Sequence, residues 1–219
     1  MTTTDMRLVK CKKTLHHDAL FPSGAGMHRR RRILAGKTAF IVNPHAGNGA
    51  TCMEWPRIQA FARNRLGPFE EHLTSGPGDA TRAAGEQLRR GAERIICVGG
   101  DGTLNEVVNG LVGDDGRIPA GVVVGFIPNG TGCDFVRTNS IPRGIDDCLS
   151  FISEGRTRCL DLGRLTFRDH RGATAVCYFH NIASFGIGGE VVARVNRTSK
   201  AFGPFASFMW GTLLSLILY

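Results

Sequence analysis

Arg94-Ile-Ile-Cys-Val-Gly-Gly-Asp-Gly-Thr-Leu-Asn-Glu-Val-Val-Asn-Gly110 is the segment around which the chain is organised. Ile95 to Val98 is a short apolar run closed by glycine, which reads as a buried strand. Leu104, Val107, Val108 and Leu111 then fall at i, i+3, i+4 and i+7, one face of a helix. Between the two lie Gly99, Gly100, Asp101, Gly102 and Thr103. The glycines let the backbone turn tightly and approach a ligand that side chains would block. A helix that starts here points its free N–H groups and positive dipole end at the turn, which suits a phosphate. Asp101 is the odd residue, because a carboxylate beside phosphates needs a cation or a hydroxyl proton between them. It therefore implies Mg²⁺ or a proton-transfer role. No Gly-Lys-Ser/Thr follows, so the turn is not a P-loop.

Outward from that segment the pattern repeats. Residues 38–42 are a short apolar strand entering a polar turn, Asn43-Pro-His-Ala-Gly-Asn-Gly49, and a helix follows with Trp55, Ile58, Ala62 and Leu66 on one side. Residues 69–73 read as the next strand, ending near Thr74, and residues 80–90 as a helix. Residues 122–127 form a further strand that meets Pro128-Asn-Gly-Thr-Gly132, and short helices follow from Cys133 to Arg137 and from Asp146 to Ser153. Alternating strands and helices specify an α/β domain, a parallel sheet flanked by helices, over residues 36–155. In such sheets the ligand sits beyond the carboxyl ends of the strands, where all three glycine turns and Thr74 fall. His45 reads either as a ligand contact or as a solvated loop histidine.

After Arg156 the pattern changes. Two strand-like runs, 157–167 and 174–183, flank Arg168-Asp-His-Arg-Gly172, a turn sequence, and read as a hairpin opening a β-rich second domain over 156–219. Phe185-Gly-Ile-Gly-Gly189 then breaks the strand, and residues 190–196 suggest a short helix. The uncharged segment 201–219 raises the question of a membrane span, with Ser207, Gly211 and Ser215 as a small-residue stripe. Gly203-Pro204 leaves about 15 continuous residues, short of the roughly 20 a span needs, so an apolar helix of the second domain is the preferred reading.

The net charge of +8 is local. Residues 1–37 hold nine of the 27 Lys/Arg and two of the 19 Asp/Glu, so the remainder carries 18 against 17, a net of +1. A nucleic-acid protein spreads basic residues over a folded face, and that class is excluded. Residues 1–35 read as a disordered basic leader, with translation starting at Met1 or Met27; a polybasic arm drawn to anionic lipid is the alternative. The seven cysteines are scattered without a Cys-x-x-Cys pair, which argues against a zinc site and a disulfide framework and for a reducing compartment.

With these residues laid out, the chain resembles the diacylglycerol kinase catalytic-domain family, in particular its bacterial lipid-kinase branch. The carriers are Asn43-Pro-His-Ala-Gly47, Thr74 with Gly78-Asp-Ala80, Gly99-Gly-Asp-Gly-Thr-Leu-Asn-Glu106 and Pro128-Asn-Gly-Thr-Gly-Cys-Asp-Phe135. Asp161-Leu-Gly163 and Asn181-Ile-Ala-Ser-Phe-Gly186 resemble the family's passage into its second domain. The central motif alone is shared with NAD kinases. The resemblance implies an ATP-dependent kinase that uses Mg²⁺ and phosphorylates a lipid hydroxyl, of diacylglycerol or a sphingoid base. It would work in the cytoplasm, peripherally at a membrane surface, and could pair as a homodimer. By motif position Asn43, Pro44, His45, Ala46 and Gly47, with Gly99, Gly100, Asp101, Gly102, Thr103, Leu104 and Asn105, would line the phosphates. Thr74 and Thr131 would be further nucleotide contacts, and Asp101 the catalytic group that orients a metal or a phosphate-bound water. No set of protein metal ligands is assigned. Cys133 stands where the family has Asn, which weakens one loop contact. Family members run well past this length, so the chain is expected to be truncated, with the general base beyond Tyr219. A NAD-kinase-like enzyme and a nucleotide-binding remnant without turnover are the alternatives.

Overall fold

The structure is a computed structural model that describes residues 36–130, 132, 134–155, 157–169 and 171–183, and the backbone of 5–9. Thr131, Cys133 and the segments 185–189, 190–196 and 201–219 singled out above lie outside the described residues. The described chain through His180 belongs to one compact unit, and Asn181 begins the next.

The elements in order are β1 (Asp5–Val9), β2 (Thr38–Val42), a 3-10 turn (Ala46–Gly49), α1 (Ala50–Leu66), β3 (Glu70–Leu73), α2 (Asp79–Arg89), β4 (Arg94–Gly99), α3 (Asp101–Leu111), β5 (Val123–Pro128), α4 (Asp134–Asn139), α5 (Ile145–Ser153), β6 (Leu162–Arg168) and β7 (Thr174–Phe179). Four of the strands make a sheet in the order β3-β2-β4-β5. Every pairing in it is parallel. The chain leaves β2 toward one side of the sheet and leaves β4 toward the other. The gap between β2 and β4 is thus the topological switch point, where such sheets open a crevice.

Side-chain alternation along the strands divides the core in two. Ala39, Ile41, Ile95 and Cys97 face the α2 and α3 side, with Ala80, Ala84, Leu104, Val107 and Leu111. Phe40, Val42, Ile96 and Val98 face the α1 and α5 side, with Trp55, Ile58, Ala62, Cys148 and Leu149. Both faces of β2 and β4 are covered, which is why these strands are apolar at successive positions rather than at every second one. On one face α2 and α3 approach backbone to backbone. A Cβ on Gly110 would collide with the Thr81 carbonyl oxygen, and one on Gly85 would lie 3.1 Å from the Gly110 carbonyl oxygen.

The second sheet is antiparallel, in the order β1-β6-β7. The hairpin β6–β7 is the one expected from the turn at 168–172. β1 is not: residues 1–35 were expected to be disordered, yet Asp5–Val9 pairs along β6, Asp5 opposite Thr166 and Val9 opposite Leu162. A five-residue strand carries too little alternation to stand out, and its partner is distant in the chain. Asn109 joins the two sheets. Its Nδ2 donates to the Tyr178 carbonyl oxygen at 2.8 Å and its Oδ1 accepts from the Tyr178 N–H at 2.8 Å, so it serves β7 as a one-residue strand partner. Among the described residues no helix is long and apolar enough to cross a membrane.

Candidate functional site

The carboxyl ends of β2, β3, β4 and β5 lie at one edge of the parallel sheet, and hydrogen bonds lace their turns together. Asn43, just past β2, donates its backbone N–H to the Val98 carbonyl of β4 at 2.9 Å. Its Nδ2 donates to Thr103 Oγ1 at 2.9 Å, and its Oδ1 accepts from the His45 N–H at 3.0 Å. Asn129, past β5, donates its N–H to the Gly99 carbonyl oxygen at 2.8 Å, and Thr74, past β3, donates its N–H to the Val42 carbonyl oxygen at 2.8 Å. These bonds continue the sheet ladders past the strand ends, so each turn starts from a fixed point.

Two glycines are required by space. A Cβ on Gly99 would lie 2.8 Å from Thr103 Oγ1 and 3.3 Å from Asn43 Cβ. Gly47 has φ +61°, and its Cβ would lie 3.0 Å from the Asn129 carbonyl oxygen. The first turn therefore closes against the third. Gly102 differs: nothing lies within 4 Å of its would-be Cβ. It occupies the first turn of α3, where backbone N–H groups have no carbonyl a turn earlier to accept them. Gly102 and Thr103 thus place donors and a positive helix end at the carboxyl edge of the sheet, a setting suited to phosphate oxygens.

Asp101 opens α3. Its Oδ2 accepts from the Asp134 N–H at 2.9 Å, which ties the second turn to α4. Its Oδ1 is buried without a hydrogen-bond partner. An ionised carboxylate can only accept, so that oxygen suits a cation, a water or a hydroxyl proton. Among the described residues no group of three or more His, Cys, Asp or Glu is placed to hold a metal ion. Mg²⁺ needs no such cage, since one carboxylate with phosphates and waters is its usual setting. A single free Asp101 oxygen beside a phosphate-suited turn fits that pattern. Two buried thiols near the site are held in the neutral form: burial, then the charges of Glu106 and Asp101, push Cys97 far up, and burial pushes Cys148 up to about 12.

Of the residues expected to line phosphates, Asn43, Gly47, Gly99, Gly100, Asp101 and Thr103 come together through these contacts. A Cβ on Gly100 would lie 3.5 Å from Gly130 Cα, which places the second turn on the third. Thr74 is buried at the edge, Pro44 and Ala46 are half-buried in the first turn, and His45 is exposed. Leu104 is placed differently from expectation. Its side chain is 3% exposed in the core, and its N–H donates to the Gly100 carbonyl oxygen, so neither is offered to a ligand. Asn105 is half-buried one turn into α3, and its carbonyl accepts from Asn109 Nδ2 at 2.8 Å. Sequence reasoning placed Asn129 in the third turn but gave it no role; its Nδ2 donates to Glu54 Oε2 at 3.1 Å and steadies the third turn on α1. Sequence reasoning passed over His180, at the end of β7, whose ring stands edge-on to Phe135 with centroids 4.7 Å apart.

Residues 37–165 match the family model described as the diacylglycerol kinase catalytic domain. The chain belongs to this family. A protein named diacylglycerol kinase from Staphylococcus carnosus (strain TM300) is 32% identical over 186 residues, 84% of this chain and 54% of that protein. One of the same name from Staphylococcus aureus (strain JH9) is 34% identical over 188 residues, 84% of this chain and 53% of that protein. A crystal structure described as a diacylglycerol kinase from Bacillus anthracis str. Sterne superposes with a TM-score of 0.51 at 31% identity, covering 58% of this chain and 42% of that one. The chain thus spans about half the length of the curated family members it matches. The family model covers all four turns of the edge, from Asn43 to Asn129.

Proposed function

We propose that this chain carries the nucleotide site of an ATP-dependent lipid kinase, which passes the γ-phosphoryl group of ATP to a lipid hydroxyl, of diacylglycerol or a sphingoid base. It would act at the cytoplasmic surface of a membrane. The observation that carries this reading is the laced edge: four turns meet at the carboxyl edge of the parallel sheet, with a free carboxylate oxygen beside the phosphate-suited helix end. When bound, ATP supplies the phosphoryl group and Mg²⁺ offsets its charge. Gly102 and Thr103 hold phosphate oxygens through backbone N–H groups. Asn43 fixes the side chain of Thr103 and with it the first turn of α3. Asp101 would hold Mg²⁺, directly or through a water, by its unpartnered Oδ1. Phosphoryl transfer is mostly positioning and charge stabilisation, and these roles supply both.

The test is transfer of labelled γ-phosphate by the full chain to vesicles holding diacylglycerol or sphingosine, with NAD as a parallel acceptor and ATP affinity read by calorimetry. Asp101→Ala should lower turnover by about 100-fold or more. Gly102→Val should abolish ATP binding while leaving the melting temperature in place, since its side chain enters open space. Phosphorylation of NAD without any lipid, or normal ATP affinity and turnover in both variants, overturns the reading.

A further inference from the structure

His180 is a half-buried residue that the reaction described above does not use. Both of its nitrogens, Nδ1 and Nε2, are buried without a hydrogen-bond partner. Burying unpaired polar atoms is costly, and a phenylalanine could pack edge-on to Phe135 without that cost. The polar ring therefore calls for a reason, and Asp101 Oδ1 is buried and unpartnered as well. The same short segment touches both groups: Asp134 donates its N–H to Asp101 Oδ2 at 2.9 Å, and the next residue, Phe135, carries the His180 ring. One helix also fixes both ends of the arrangement. α3 begins at Asp101, and two turns later its Asn109 grips both the N–H and the carbonyl of Tyr178, two residues before His180.

We propose that His180 is a positioning residue for Asp101: its ring N–H serves the free oxygen Oδ1 through a bridging water. That leaves Oδ2 on the Asp134 N–H and stops the carboxylate from rotating. A buried water needs two or more polar partners, which the carboxylate oxygen and the ring nitrogen provide. The ring acts in its neutral form, as one donor and one acceptor. Burial lowers its pKa, and the nearby Asp101 charge partly opposes that. The catalytic role assigned to Asp101 rests on the kinase reading, whereas the His180–Asp101 link does not.

The experiment reads the two apart. Long-range ¹H–¹⁵N spectra of the histidine rings are recorded on the full chain, with His180→Gln identifying the His180 signals. Asp101→Asn should move both ring-nitrogen signals of His180; signals unmoved by that change overturn the link. In the transfer assay His180→Phe should lower kcat about tenfold or more while KM for ATP stays within about twofold. Its melting temperature should be unchanged or raised, since a phenylalanine fits against Phe135, and His180→Gln, which keeps a donor, should recover most of the lost rate. A His180→Phe kcat equal to wild type also overturns the proposal. If the wild-type chain transfers phosphate to no lipid, the kinase reading fails alone, and the ring signals still decide the link.

Discussion

The two sheets are built on opposite terms. In the parallel sheet, Ala39 to Val42 and Ile95 to Val98 are all fully buried, because helices cover both faces. In the antiparallel sheet, Gly163 is the buried residue among the described positions of β6 and β7, and Val176 is 42% exposed. The first sheet holds its own core and can hold its turns rigid. The second is half-open and leans on long-range ties: β1 along its edge and Asn109 against β7. Stiffness is concentrated where the nucleotide chemistry is proposed.

The sharpest way to break this contrast is a matched pair of truncations. Ile96→Ala, in the middle of β4, should cost about 2–5 kcal/mol, and Val176→Ala, in β7, less than about 0.5 kcal/mol. Urea denaturation of the two variants measures this, and equal losses would erase the distinction. Gly47→Val comes next. Its φ of +61° and the nearby Asn129 carbonyl oxygen penalise any side chain. About 1–3 kcal/mol should be lost, read as a fall in melting temperature together with weaker ATP binding.

A smaller effect belongs to acid. The Asp79 carboxyl is held well below the usual carboxylate range, first by the Ser75 backbone N–H, then by the His72 side chain, with Arg82 adding to both. A carboxyl with a depressed folded-state pKa stabilises above its unfolded value, about 3.9, and that contribution fades as pH falls below it. Melting curves from pH 6 to 2 should fall more steeply for wild type than for Asp79→Asn below about pH 4. The smallest and most local effect is expected from deleting residues 1–10. Amide exchange should quicken in β6, which loses its β1 partner, and stay slow in β2 and β4. Uniform quickening would show that the two sheets share one stability.

The parallel sheet was legible because its signals are local. Residues 38–42 were read at the bounds of β2, and Leu104, Val107, Val108 and Leu111, spaced as a helix face, are all buried in α3. The glycine turns could be placed at one edge because a parallel sheet puts every strand end there. What escaped is what depends on partners far along the chain. The order β3-β2-β4-β5, the pairing of β1 with β6 and the Asn109 bond to Tyr178 leave no periodic trace. His180 sits among apolar residues and looks like core until its ring nitrogens are seen to lack partners. Leu104 was assigned to the ligand because it lies inside the motif, but motif membership does not separate a residue that faces phosphate from one that anchors the helix behind it.

The contact between α2 and α3 has a mechanical consequence. Gly85 and Gly110 bring the two backbones together, Glu106 Oε2 accepts from the Ala80 N–H at 3.2 Å, and Thr81 Oγ1 donates to the Glu106 carbonyl oxygen at 3.0 Å. The pair behaves as a single yoked strut that carries Asp79 at one tip and Asp101 at another. A substitution that forces the two helices apart, such as a side chain at Gly110, would therefore displace Asp79 and Asp101 together.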